Sequence, residues 1–234
     1  MKYSIEPFVF VANPDVCFGI VVGRALHNGE SSGEDRERLL AAERSLQERL
    51  SEVDIKEEEY IKRYRAALQN VGINPNKFTN SVEGMAKRVG KGHSLPSINA
   101  LVDLCNAISL EEVISLGGHD LREIKDDLWV RRSLAGDRYL PFGSQEYEHL
   151  GEGELVFISG DTVQTRQWLW RQSEIGKMTV ETKDVFFQLV GFTGSQRKRL
   201  ERALAKVETM VAERFGGSRQ TFLVDKDCRE IEFF

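Results

Sequence analysis

The chain has 234 residues, 41% of them apolar and 29% charged, and carries a net charge of −5. These proportions describe a soluble globular protein of one large domain or two small ones, and the acidic balance argues against a dedicated nucleic-acid binder while leaving room for a local basic patch. No run of 18 apolar residues occurs and the N-terminus lacks a signal-peptide core, so a cytoplasmic location without a membrane span is expected.

The chain opens with two apolar runs between Pro7 and Gly23, flanking the turn signal Asn13-Pro14-Asp15. Both are β-branched and aromatic, and both are expected to be strands. Residues 31–70 are rich in Glu, Arg, Leu and Ala. Ser32 suits a helix N-cap, and Leu39, Leu46, Leu50 and Val53 form a narrow apolar stripe behind it. A second amphipathic segment, about 56–70, presents Tyr60, Ile61, Tyr64, Ala67 and Leu68. The heptad is not sustained, so these helices are expected to pack on a sheet rather than form a coiled coil. A short helix over residues 81–89 follows the Gly72–Asn76 turn.

The stretch His93–Asn106 then reads as a buried helix, with Pro96 suited to its first turn. Ile98, Leu101, Val102, Leu104, Cys105 and Ile108 cover most of its circumference. The exceptions are Asn99, Asp103 and Asn106, spaced to share one stripe. Buried amides and carboxylates need partners. This stripe either bonds loop backbone or walls a ligand cavity, and the helix alone favours backbone bonding.

The helical pattern runs on to Leu116, and Gly117-Gly118-His119-Asp120 reads as a sharp break. Beyond it the chain is β-rich, with strands expected at 127–134, 138–142, 155–159, 162–170 and 184–191. Gly160-Asp161 suits a hairpin turn. A long helix is expected from Ser195 to Phe215, with Leu200, Leu204, Val207 and Val211 on its apolar face, and strands at 221–224 and 230–234 close the chain. No linker or internal repeat divides it, so one α+β domain over 1–234 is expected.

The segment Arg166-Gln-Trp-Leu-Trp-Arg-Gln-Ser173 is a second candidate site. As a strand it would place Trp168 and Trp170 on one face, either as a stacking platform or as core. Arg171, Gln172 and Ser173 follow with groups suited to phosphate or amide contacts. His93, beside Lys91 and Gly92, is a third candidate, as a base or a phosphate contact. Cys17, Cys105 and Cys228 are far apart, and no Cys-x-x-Cys occurs, so reduced buried thiols are expected. The histidines His27, His93, His119 and His149 show no metal-ligand spacing, and no metal is expected. The phosphate-binding loop, the dinucleotide glycine fingerprint and Gly-x-Ser-x-Gly are absent, and no cofactor is expected.

From about residue 91 to 190 the order of motifs resembles the B3/B4 domain of the phenylalanyl-tRNA synthetase beta subunit, particularly its free-standing relatives. The family's Pro-Ile-Asn-Asn-x-Val-Asp-x-x-Asn pattern is met by Pro96, Ile98, Asn99, Val102, Asp103 and Asn106. Leu110-Glu111, His119-Asp-Leu-x-x-Ile124, Val130-Arg131, Gly136-Asp137, Leu140-Pro-Phe-Gly143 and Thr182-Lys-Asp-Val-Phe-Phe-Gln188 follow in the family's order. Residues 1–90 and 194–234 flank this core.

The resemblance implies an α+β fold with a mixed or barrel-like β-sheet, a buried central helix and flanking helices. It also implies binding of the 3′ end of an aminoacyl-tRNA, with hydrolysis of a mischarged ester in trans as the associated chemistry. Two of the family's editing side chains are replaced. Gly117 falls at the position of a histidine and Gln188 at that of a glutamate, so tyrosine specificity does not carry over. On this resemblance Asn99 would touch the ligand, Asp103 and Asn106 would bond loops, and Trp168 or Trp170 would stack on it. His93 and Arg171 would hold phosphate or carboxylate, with Gln172, Ser173 and Gln188 nearby. A non-catalytic binder of an amino-acid-like or nucleoside metabolite is the alternative.

Overall fold

The computed structural model describes residues 1–51, 53–194 and 197–234. The strands, in chain order, are β1 (Lys2–Ile5), β2 (Val16–Arg24), β3 (Ser115–Asp120), β4 (Leu128–Arg132), β5 (Arg138–Tyr139), β6 (Glu148–His149), β7 (Leu155–Ser159), β8 (Thr162–Arg166), β9 (Arg171–Gln172), β10 (Val185–Phe192), β11 (Ser218–Val224) and β12 (Glu230–Glu232). The helices are α1 (Pro7–Ala12), α2 (Gly33–Arg49), α3 (Glu59–Asn70), α4 (Ser81–Gly90), α5 (Ala100–Glu112) and α6 (Arg197–Thr209), the last running on into a π-helical turn, Met210–Phe215. Ser195, expected to open that last helix, lies outside the described residues.

Two sheets form instead of one barrel. The larger is mixed, in the order β12-β1-β4-β7-β8-β5-β6, with β9 paired to β8. The smaller is antiparallel, β11-β2-β10-β3. All eight residues of β10 are buried at its centre. The sheets face each other through an aromatic cluster in which Tyr3 meets Phe18, Phe157 and Phe186 at ring-centroid distances of 6.4, 6.1 and 5.1 Å. One buried cluster runs through both sheets and the helices, and a smaller one of Tyr139, Leu150, Val156, Ile158 and Val163 belongs to the larger sheet.

Helices cover the far face of the small sheet. The α6 helix approaches closely because Gly19 and Gly191 lie beneath it. A Cβ on Gly191 would stand 2.9 Å from Leu200 Cβ, and one on Gly19 would stand 2.9 Å from Leu204 Cδ1. From α3, Tyr64 donates its hydroxyl to Val190 O at 2.5 Å and accepts from Ser115 N–H at 3.0 Å, joining β10 to the start of β3. The expected Ser32 cap forms as a full capping box with Asp35. The α3 face is the one read from the sequence, whereas the α2 stripe fades toward Val53, which is exposed.

Four local expectations are corrected. The first apolar run is helix α1 rather than a strand, because Pro7 occupies its first turn, where a missing N–H leaves no intrahelical bond unmade. The central helix begins at Ala100, so Pro96 lies in the extended segment before it and Ile98 is half exposed. Gly117–Asp120 is not a break but the body of β3, the outer strand of the small sheet. The 162–170 strand stops at Arg166, since Gln167 and Trp168 adopt φ of 49° and 58°. Cys17 and Cys105 are buried as expected, but Cys228 is exposed.

Gly191→Ala forces Leu200 and α6 away from the sheet. It is expected to lower unfolding stability by about 1–3 kcal/mol in chemical denaturation, the usual cost of overpacking.

Candidate functional site

A cavity of about 420 Å³ opens between α5, the free edge of β3 and the loop after β9. That volume is within the range of small-molecule sites. Asn99, Val102, Cys105 and Asn106 form the helix wall, Leu116–Gly118 the strand wall, and Lys177–Val180 the loop wall. Ile98 and Phe142 flank it with 50% and 59% of their surface exposed.

The polar stripe of α5 divides between scaffold and cavity. Asn99 is the N-cap. Its Oδ1 accepts from Val102 N–H at 3.1 Å, and its Nδ2 donates to Met178 O at 3.2 Å. Asn28 braces the same corner, accepting from Leu101 N–H at 3.2 Å and donating to Thr179 O at 2.8 Å. Ala100 N–H reaches Gly29 O at 3.1 Å, and Asp103 N–H reaches Asn99 O at 2.9 Å. The first four N–H groups of α5 are therefore occupied, and this helix start has none left for an anion.

Asp103 is fully buried and turns away from the cavity. It accepts from Ser31 Oγ at 2.6 Å, Ser97 Oγ at 2.5 Å and Ile98 N–H at 2.8 Å. Asn106, by contrast, lines the cavity half-buried, and its carboxamide has no hydrogen-bond partner among the described residues. The wheel explains the division. At about 100° per residue, Asn106 lies within some 20° of Asn99 on the side of Val102, whereas Asp103 lies roughly 40° away on the other side.

The other candidates scatter. Gln172 lines the cavity and ties its loop to the strand edge, with Nε2 donating to Gly118 O at 2.9 Å. Ser173 is buried beside it, donating to Leu140 O at 3.1 Å. Trp168 is 1% exposed, packs on Phe18 at 6.2 Å and does not line the cavity. Trp170 packs on Phe78 at 4.9 Å, so the two indoles form no common platform. Arg171 lies over Trp170, with Cζ 4.6 Å from the ring centroid. His93 is exposed in the loop after α4, away from the cavity lining. Gln188 is the register partner of Gly117, but its Oε1 accepts from Tyr3 of the larger sheet at 2.7 Å, and it does not line the cavity.

Sequence reasoning passed over His119 and Phe142. His119 is buried behind the β3 wall, its ring 4.9 Å from that of Phe157. Its Nδ1 lies 3.3 Å from Gln172 Nε2. Because Gln172 Nε2 also donates to Gly118 O, the network assigns Nδ1 as acceptor and the proton to Nε2. Burial pushes the His119 pKa down to about 3, so the ring is neutral near pH 7. Burial pushes the Cys105 thiol up to about 12, which keeps it protonated and a poor nucleophile. Among the described residues no carboxylate or histidine lines the cavity, and the one charged residue that does, Lys177, is paired with Glu174. No cluster of three metal-ligating side chains occurs among the described residues. Phe142 carried a faint signal, as an aromatic residue inside a Pro-Phe-Gly turn.

Residues 63–221 match the B3/4 domain family, and the chain belongs to it. Among solved structures it is similar to an N-terminal fragment of the phenylalanyl-tRNA synthetase beta subunit from Pyrococcus horikoshii, at 15% identity and a TM-score of 0.43. That alignment covers 93% of this chain and 49% of the fragment, so the chain spans about half the fragment's length. No curated protein matches the sequence. No helix among the described residues is long and apolar enough to cross a membrane.

The depressed pKa of His119 has a thermodynamic consequence. The unfolded chain takes up a proton near the ordinary value of 6.5, whereas the folded chain resists it until about pH 3. The stabilising contribution is complete above pH 6.5 and is lost as the pH falls through that window. His119→Gln is expected to remove up to one proton, roughly 1.4 kcal/mol per pH unit, from the slope of unfolding free energy against pH between 6.5 and 3. Denaturation series over that range measure both slopes.

Proposed function

We propose that the α5–β3 cavity binds the acylated 3′ end of a tRNA, with the acyl side chain inside and the terminal nucleoside at the mouth. The observation that carries this reading is the character of the cavity. An apolar chamber of Val102, Cys105, Leu116 and Met178 meets one unpaired carboxamide, Asn106, and opens between Ile98 and Phe142. Membership of the B3/4 family supports the choice of ligand.

The chemistry on offer is positioning rather than proton transfer. His119 is walled off and neutral, Gln188 points into the space between the sheets, and Gly117 carries no side chain. Ester hydrolysis in this site therefore uses a water held by Asn106 and by groups of the ligand itself, such as the ribose hydroxyl beside the ester. Selection falls to the apolar walls, which favour an aliphatic or thioether side chain over a phenol, whose hydroxyl meets no carboxylate there. The lack of a cavity carboxylate also favours the alternative of a non-catalytic site for a neutral metabolite such as a nucleoside.

Deacylation and binding are to be measured with a panel of charged tRNAs. Apolar aminoacyl ends are expected to bind best, and Asn106→Ala to weaken them about tenfold while leaving α5 intact, alanine being the better helix former. No ester release above buffer for any amino acid, together with no tRNA binding at low salt, overturns the reading.

A further inference from the structure

Beyond Phe142 and Gln172 lies a second cavity, of about 400 Å³, that shares these two residues with the first. Tyr139, Trp170, Arg166, Arg171 and one carboxylate, Glu148, give it its character. Its two arginines are in different electrostatic states. Arg166 is neutralised by Glu154 at 2.9 Å and by Glu148 at 2.6 Å. Arg171 is exposed, has no carboxylate partner among the described residues, and stands over the Trp170 ring with its Cζ 4.6 Å from the ring centroid. Stacking orients a guanidinium while leaving its N–H donors free in the plane. That is the presentation suited to two oxygens of one anionic group. Between the cavities stands the exposed Phe142 ring, on a turn anchored by Gly143 N–H to Glu174 at 3.1 Å.

We propose that this second cavity is a phosphodiester subsite. Arg171 pairs with the phosphate that links the last two nucleotides of an acylated RNA end, and Phe142 stacks the base of the penultimate one. The inference rests on the reading of the first cavity given above, since the shared wall makes one ligand span both. The phosphate lies one ribose away from the acyl ester, and the second cavity lies one side chain away from the first. The preferred ligand is therefore an acylated dinucleotide end rather than an acylated nucleoside alone. The unpaired charge supplies the electrostatic part of the attraction, which weakens with salt. Base stacking supplies a part that is tolerant of sequence.

The test compares two non-hydrolysable probes, 3′-aminoacylamino-adenosine and the same group on cytidylyl-adenosine, binding to the full chain by calorimetry. The dinucleotide probe is expected to bind about tenfold tighter or more at low salt, in line with a charged hydrogen-bonded pair, and to lose most of that advantage at high salt. In Arg171→Gln the ratio of the two affinities is expected to fall to about one, and in Arg171→Lys part of it is expected to return. Equal binding of the two probes to the unaltered chain overturns the subsite while leaving the first cavity's reading in place. An equal loss for both probes in Arg171→Gln also overturns it. Failure of both probes to bind removes both readings together.

Discussion

The site depends on a fully buried carboxylate. Asp103 is fully buried, and a charge in that position is tolerated only where donors replace its hydration. Two serine hydroxyls and the Ile98 N–H do so. They come from the segment before α2 and from the segment leading into α5, so one side chain fixes both approaches to the helix. With them fixed, Asn99 can cap the first turn and reach Met178 O, and Asn28 can reach Thr179 O. The third wall of the cavity is thus hung from the helix start by side-chain amides. Bonds to an ionised group are individually worth about 1.5–3 kcal/mol, enough to set the shape of a whole corner.

A second constraint is the unpaired edge of β3. An outer strand leaves backbone groups without a strand partner. Here some of them are met by the loop after β9, with Asp120 N–H on Gly176 O at 2.8 Å and Gln172 Nε2 on Gly118 O. That loop stands off from α5, and the gap is the cavity. Gly118 permits the close approach of Met178, whose Sδ and Cε would both lie 2.6 Å from a Cβ at that position. A closed barrel would have no such edge. The site exists because the strands divide into two sheets and one of them ends at β3.

Much of the fold was legible in periodicity and punctuation. The Ser32 cap, the faces of α3 and α6 and the hairpin at Gly160-Asp161 follow from local rules, and the structure keeps them. The errors cluster where local signals compete with tertiary partners. Phe8–Val11 has strand propensity, but Pro7 sits comfortably in the first turn of a helix. Two glycines before His119 suggest a break, but on an outer strand the second of them, Gly118, leaves room for a loop to dock. Trp168 and Trp170 alternate in sequence like neighbours on one strand face. Positive φ angles at Gln167 and Trp168 send one indole into the core and the other to the second cavity.

By itself the sequence determined the α+β class, the family, the buried helix and the pairing of Asn99, Asp103 and Asn106 with that helix. Each of these is written in spacing, and spacing survives without knowledge of what lies opposite. Only the tertiary structure decided that Asn106 is left unpaired while Asp103 is not, that Gln188 answers Tyr3 rather than the cavity, and that of the two arginines in the second cavity Arg171 is the one without a carboxylate among the described residues. A hydrogen bond or an ion pair is a relation between two groups, and the pairs Ser31–Asp103, Asn28–Thr179 and Tyr3–Gln188 stand 72, 151 and 185 residues apart. No pattern within one segment carries that information.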